Sequence, residues 1–536
     1  MTTHPVNLLR AVGVLQRSGM IDLANPAQLL SASRALRRYG SFGGLLAYTA
    51  QRYGDAPALT DDHGTLTFRE LDQTSNAVAR AMMSSEFESA TSVGLLNRGH
   101  RGLMVALAAA GKAGLRTVLL NVGFAGPQLH DVCVRERIGL VLADDEFTHL
   151  FVDLPADVRA MINWAEGPSD HPLLDDLAIG QSVDPLPAPQ RPGGLVLLTS
   201  GTTGTPKGAP RDRINPLQSA QLLDRVPWPV RSCYVIAAPL FHATGLATAT
   251  VGLALGNHLV LSRKFDPLSV VTAMAEHRAG AVVLVPTMLS RILDLGPEII
   301  GRLDLSSLRV VFVAGSALSP QLCRRAMDTL GDVLYNLYGS TEVATAAVAT
   351  PSELRIAPGT VGRPPVGCRI AAYDSDDHII TRPGETGTLY VSSGLSFSGY
   401  TDGGSKRTLD GMLCSGDTGH FDELGLWYVD GREDDMIVSG GENVYPIEVE
   451  NLLCEHPAIT EAAVVGVPDP DFGQRLCAFV VVGAKVADLN ADDVKDYVRS
   501  RLARHKIPRD VVFLDALPRN ETGKVLKKAL LMGAAE

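Results

Sequence analysis

The sequence predicts an α/β protein: a large N-terminal domain of βαβ units with parallel-type sheets, a β-rich subdomain, and a small α+β C-terminal domain. Three observations predict it. From about Leu59 to Asp145, and again from about Leu195 to Val348, short apolar β-type runs alternate with segments of helical period, the pattern of parallel strands joined by crossover helices. Between Gly359 and Val429 the texture changes to short strands broken by Gly, Pro and Asp turns. After Gly431-Arg432 a module with its own helices and strands begins. The 536-residue length supports this division, since it corresponds to ~3–4 units of ordinary domain size.

Residues 1–44 form a basic lead-in, with Arg10, Arg17, Arg34, Arg37 and Arg38 against the single acid Asp22. Two short helices are expected there. Asn25-Pro26 suits a cap and first turn, Arg37-Arg38 sits at the negative end of the second helix, and Gly40 is expected to stop it. The segment is a candidate for peripheral membrane contact, with helices packed on the body as the equal alternative. The main domain is expected over 45–433. Its first alternation places strands at Ser92–Leu96, Arg116–Asn121 and Leu140–Ala143 with helices at Arg69–Met83 and Gly102–Lys112. The second places strands at Gly194–Leu198, Tyr234–Ala237, Ala281–Val285, Val310–Ala314 and Val333–Leu337. Ser232–Ser262 has no formally charged side chain, but Pro239, His242, Asn257 and His258 interrupt it, so a strand, a loop and a buried helix are expected rather than a membrane span. The C-terminal unit, 434–536, is expected to hold helices Pro446–Cys454 and Ala491–Arg501 and strands Glu461–Val467, Leu476–Val482 and Asp510–Phe513.

A net charge of −11 argues against general nucleic-acid binding, which needs a basic face, and means that an anionic substrate must be held by local donors. The seven cysteines are scattered, odd in number and without ligand spacing, as expected of reduced thiols in the cytoplasm. The N-terminus lacks a signal-peptide pattern.

The chemistry concentrates in Leu197-Leu198-Thr199-Ser200-Gly201-Thr202-Thr203-Gly204-Thr205-Pro206-Lys207-Gly208. Glycines let backbone N–H groups converge on an anion, hydroxyls add donors and Lys207 adds charge, so the loop suits a phosphate. It is not a Walker loop, because Pro206 stands where a second glycine is required. Further motifs follow in order: Pro239-Leu240-Phe241-His242, Ala314-Gly315-Ser316-Ala317, Tyr338-Gly339-Ser340-Thr341-Glu342, Gly384-Glu385-Thr386-Gly387, Ser415-Gly416-Asp417, Gly431-Arg432-Glu433-Asp434-Asp435 and Gly523-Lys524. Together they resemble the signature of the adenylate-forming superfamily, which holds acyl-CoA synthetases, luciferases and the adenylation domains of peptide synthetases.

The resemblance implies an enzyme using ATP, Mg²⁺ and CoA. In it Lys524 is the catalytic lysine, Glu342 holds Mg²⁺ and Thr341 contacts phosphate, and His242 joins them as a catalytic candidate at the acyl end. Thr199, Ser200, Gly201, Thr202, Thr203, Gly204 and Lys207 bind phosphate; Asp417 accepts the ribose hydroxyls with Arg432 beside it. Gly315, Ser316, Ala317, Asn336, Tyr338 and Gly339 resemble the adenine slot, and Gly440-Gly441 the loop lining the pantetheine tunnel. Asp434 matches the hinge about which the small domain moves between half-reactions.

A neutral His242 cannot pair with an ammonium, so an amino acid is not the expected substrate. Gly339 stands where acetate-specific relatives carry a tryptophan and is expected to leave an acyl tunnel open. Gly245, Ala247, Ala249, Gly252 and Ala254 either widen that pocket or permit close packing. The expected substrate is a medium- or long-chain fatty acid, converted to its acyl-CoA. A fatty acyl-AMP ligase serving a carrier protein and an aryl-CoA ligase are the alternatives. No extra block interrupts Glu342–Gly384, and no carrier domain is expected within the chain beyond Lys524.

Overall fold

The β-type runs of the sequence become the strands of four sheets in a computed structural model that describes residues 5–84, 87, 90–191, 193–199, 206–211, 219–439, 442–469, 473–483, 489–520 and 523–533. The largest sheet has eight strands in the order Ala344–Ala349, Leu334–Ser340, Val310–Ala314, Ala281–Leu284, Cys233–Ile236, His258–Leu261, Pro57–Asp61 and Gly64–Thr67. Its six inner strands are parallel and each outer pair is antiparallel. The inner strands read as continuous apolar runs because both faces are covered; all five residues of Val310–Ala314 are buried. A second sheet orders Arg159–Trp164, Leu140–Asp144, Ser92–Leu96, Arg116–Leu119, Leu195–Leu198 and Gly208–Pro210, parallel except at its last pair. The α/β class, the antiparallel subdomain over Arg369–Arg432 and the separate C-terminal sheet agree with the sequence expectation.

Local signals explain the helices that separate the strands. Phe68–Met82 opens on a reciprocal capping box between Thr67 and Glu70, and Pro267–Glu276 on Asp266 accepting from the Ser269 amide. The uncharged stretch from Ser232 to Ser262 forms strand Cys233–Ile236, helix Ala243–Ala254 and strand His258–Leu261. No helix among the described residues is long and apolar enough to cross a membrane.

Two expectations for the N-terminal segment change. The segment holds more than two helices: Gly40, in a left-handed conformation (φ 72°), breaks the run Pro26–Tyr53 as expected, but a further helix follows it to Tyr53. That helix therefore crosses the division drawn at residue 44. The basic lead-in also turns its apolar face inward, with Ala11, Val14, Leu15 and Tyr39 in the main core, so its structure accords with packing on the body and gives membrane contact no support. All seven cysteines are free thiols, six of them buried.

Candidate active site

Strand Leu195–Leu198 leads into the phosphate-type loop, and the antiparallel strand Gly208–Pro210 leads out. The Thr199 amide donates to the Lys207 carbonyl at 2.9 Å, closing the mouth of the loop. Ser200, Gly201, Thr202, Thr203 and Gly204 lie outside the described residues. Lys207 Nζ stands 3.5 Å from Asp402 and 5.0 Å over the Tyr400 ring. The exit is tightly seated. A Cβ at Gly208 would lie 2.6 Å from both Glu136 Oε1 and Thr401 Oγ1, and Thr401 donates its amide to the Gly208 carbonyl (2.9 Å) and its hydroxyl to the buried Glu136 (2.6 Å).

Glu342 follows strand Leu334–Ser340 at its C-terminal end, where open α/β sheets gather ligands. One carboxylate oxygen accepts from Tyr400 Oη at 2.7 Å and the other from Ser340 Oγ at 2.9 Å. Burial opposes ionisation of Glu342, but these two hydrogen bonds and the charge of Lys406 outweigh it and hold the carboxyl below its usual range. Arg211 donates to the Thr341 carbonyl, and burial lowers its own pKa to about 10. A charged carboxylate with unused lone pairs fits Mg²⁺, which takes one or two protein oxygens and fills its shell with water and phosphate. No cluster of three or more acidic, His or Cys side chains suited to a metal occurs among the described residues.

Gly339 corrects the sequence expectation. It lies at a bulge in the hairpin of Leu334–Ser340 with Ala344–Ala349, and any Cβ there would collide with the carbonyl oxygen of Ala344, itself held at φ 60°. The missing side chain answers to backbone crowding rather than to an acyl tunnel.

The nucleotide-type residues gather beside this hairpin. Gly315, at φ 99°, ends strand Val310–Ala314 and turns the chain through Ser316 and Ala317, while Asn336 is buried on the adjoining strand opposite Val313. Tyr338 was expected only at the base; its hydroxyl donates to Asp417 Oδ2 at 2.6 Å. Burial holds the Asp417 carboxyl above its usual range, against the pull of Tyr338, Arg432, Lys406 and Lys524. Its other oxygen lies 3.6 Å from Arg432, whose Nε bonds Asp434 at 2.8 Å. Lys524 is exposed on a turn closed by Asn520 and by Arg519 donating to the Gly523 carbonyl, and its charge reaches both Asp417 and Asp434. The turn is seated on the main domain, since a Cβ on Gly523 would collide with Thr287. Gly440 and Gly441 lie outside the described residues.

His242 precedes helix Ala243–Ala254. Its Nε2 is buried without a hydrogen-bond partner among the described residues, and burial lowers its pKa to about 4, so the ring is neutral. With Phe241, Phe124, Asn121, Thr199 and Pro206 it lines a cavity of about 20 Å³. The small residues of the following helix serve packing. A Cβ at Gly245 would strike the Pro239 and Ala238 carbonyls, and one at Gly252 would lie 2.8 Å from Leu259 and 3.0 Å from Tyr234.

Sequence reasoning missed Tyr400, Arg211, Lys406 and Glu136. Tyr400 stands alone in the turn-rich run Ser396–Gly404, where only its proximity to Glu342 in space reveals a role.

Comparison with known proteins agrees with this geometry. The chain is similar over 485 residues, at 33% identity, to the indoleacetate–CoA ligase of Aromatoleum aromaticum, covering 86% of this chain and 92% of that one. It is 29% identical to the fatty acid–[acyl-carrier-protein] ligase ScoC of Streptomyces coeruleorubidus, over 90% of this chain and 94% of ScoC. A benzoate CoA ligase from Burkholderia xenovorans LB400 superposes with a TM-score of 0.81 at 26% identity, over 92% of this chain and 99% of that one. The AMP-binding enzyme C-terminal domain family matches residues 448–524. With residues 46–401 matching the AMP-binding enzyme family itself, the chain belongs to that family of adenylate-forming enzymes.

Proposed function

We propose that the protein is an AMP-forming acid–thiol ligase that activates an apolar carboxylic acid with ATP and passes the acyl group to CoA. The observation that carries this reading is the convergence of Asp417, Arg432 and Lys524, from both domains, beside Tyr338 on the strand that Glu342 follows, with the charge of Lys406 acting on both carboxylates. In the first half-reaction a carboxylate oxygen attacks the α-phosphorus of ATP, and the bond to pyrophosphate breaks. Both reactants are anions, so cations must offset the charge that crowds on the phosphorus. Lys524 and Lys207 supply it, Asp417 orients the ribose, and Gly315–Ala317 with Tyr338 receive the base. Glu342 would hold Mg²⁺, which neutralises phosphate oxygens when bound. In the second half-reaction the CoA sulfur bonds to the carbonyl carbon as the bond to AMP breaks and the thiol proton passes to water. Asp434 is the pivot in this reading, at the join of residues 45–433 and 434–536, and Gly440-Gly441 lines the path of the thiol.

The acid is the finer question. A medium- or long-chain fatty acid follows from the sequence, and similarity to ScoC supports both that class and a carrier protein as acceptor. A compact aromatic acid is the second reading. It is favoured by glycines that serve packing rather than space, and similarity to the indoleacetate and benzoate ligases supports it. Pyrophosphate and AMP release should be measured over octanoate, palmitate, benzoate and indoleacetate, with CoA, with a carrier protein and with neither. Acid-dependent pyrophosphate release without acceptor, and AMP release with CoA, are expected. Absence of pyrophosphate release with every acid would sink the reading.

A further inference from the structure

A cavity of about 1110 Å³ opens between the N-terminal helix Pro5–Arg17, the segment 364–369 and the turn 392–394. None of Glu342, Asp417 and Lys524 lines it, and one wall comes from a helix that precedes the family match at residues 46–401. Its apolar lining is formed by Leu9, Val14, Pro364, Pro365 and Val366, with Asn7, Ser392 and Ser393 as neutral polar lining. Its charged groups are Arg10, Arg17 and Arg369 against a single acid, Asp224. Asp224 is already engaged, accepting from the Val366 amide at 2.8 Å.

The three guanidiniums form no hydrogen bond or ion pair with any described residue, whereas Arg98, Arg101, Arg116, Arg225 and Arg263 are all paired with carboxylates. Gly13 lets Arg17 fold back over its own helix, because a Cβ there would stand 3.3 Å from Arg17 Nη1. In a chain with a net charge of −11, three exposed cations without a partner among the described residues leave a local positive potential around the cavity, which an anion offsets. The apolar walls add a preference for a ligand with a hydrocarbon body.

We propose that this cavity is a second binding site, separate from the adenylate site, for a small amphipathic anion: a carboxylate or phosphate head held by Arg10, Arg17 and Arg369, with an apolar tail against Leu9, Val14 and Pro364–Val366. The inference stands independently of the reaction proposed above.

The test is calorimetric titration of the full chain with dodecyl phosphate, dodecanoate and uncharged dodecanol, its adenylate site saturated with a non-hydrolysable acyl-sulfamoyl adenosine. One equivalent of at least one anion should bind, and whichever binds identifies the head group. Dodecanol and the Arg10→Ala/Arg17→Ala/Arg369→Ala variant should each show binding at least ~tenfold weaker, the scale of one lost charged hydrogen bond. Arg369→Glu alone provides a second check should the triple variant fail to fold, since this side chain is exposed at a strand end. No binding by either anion, or equal binding by dodecanol or by Arg369→Glu, would overturn the proposal.

Discussion

At the scale of single residues the site depends on a few charges held where water is scarce. In the proposed reaction Lys524 brings a cation to the phosphoryl group only in the first half-reaction. Lys524→Ala is therefore expected to lower adenylate formation by ~10²–10³ while sparing thioester formation from supplied acyl-AMP. Single-turnover assays of each half-reaction check this, and equal losses in both would contradict it. Tyr400 acts one step away, through its 2.7 Å hydrogen bond to Glu342. That bond helps keep the carboxylate ionised against burial. Tyr400→Phe should raise the Mg²⁺ concentration for half-maximal rate by roughly tenfold, the scale of one charged hydrogen bond, with recovery as pH rises and Glu342 regains its charge. An unchanged Mg²⁺ titration would leave Tyr400 a packing residue.

At the scale of elements, the hairpin of Leu334–Ser340 with Ala344–Ala349 carries Tyr338, Thr341 and Glu342, and its register shifts at Gly339. Because the Ala344 carbonyl fills the space where a side chain would begin, even one methyl group must push two strands apart. Gly339→Ala should destabilise the protein by about 1–3 kcal/mol and slow activation of short, long and aromatic acids alike. Thermal melts and kcat/KM over acetate, octanoate, palmitate and benzoate provide the check. A loss that grew with chain length would restore the tunnel reading. The strap Phe397–Gly404 is the hairpin's counterpart, since its Tyr400 and Thr401 tie Glu342 to the phosphate loop and to Glu136.

At the scale of the whole molecule, buried histidines set the response to acid. Burial takes His242 and His258 from 6.5 to about 4, the charge of His277 adding to the effect at His258. Their stabilising contribution is complete above pH 6.5 and is lost as pH falls from 6.5 through about 4, where only the unfolded chain binds the protons. His420 has the opposite sign: its hydrogen bond to Asp430 raises its pKa, so its contribution is present below 6.5 and lost as pH rises through the folded value. His242, whose Nε2 is buried, should dominate, costing on the order of 1–2 kcal/mol between pH 7.5 and pH 5, and half-buried His258 adds less because solvent screens it. His258→Gln, which keeps a partner for Thr60, should flatten that dependence in thermal melts, and an unaltered pH profile would remove His258 from the account.

The sequence by itself determined the α/β class, the order of most strands and the run of family motifs, because parallel strands buried on both faces read as apolar runs and phosphate loops need glycines and hydroxyls at fixed spacing. Glu342, Asp417 and Lys524 were legible for that reason, each inside a local motif. Other features depend on neighbours far away in the chain. Only the tertiary structure decided that Gly339 faces a carbonyl rather than a tunnel, that Gly245 and Gly252 serve packing, and that a further helix follows the break at Gly40. The same is true of Tyr400, 58 residues from Glu342, and of Glu136, 265 residues from Thr401. A glycine looks the same in a sequence whether it makes room for a ligand or for backbone, and a tyrosine's role is set by the acceptor that folding brings to it.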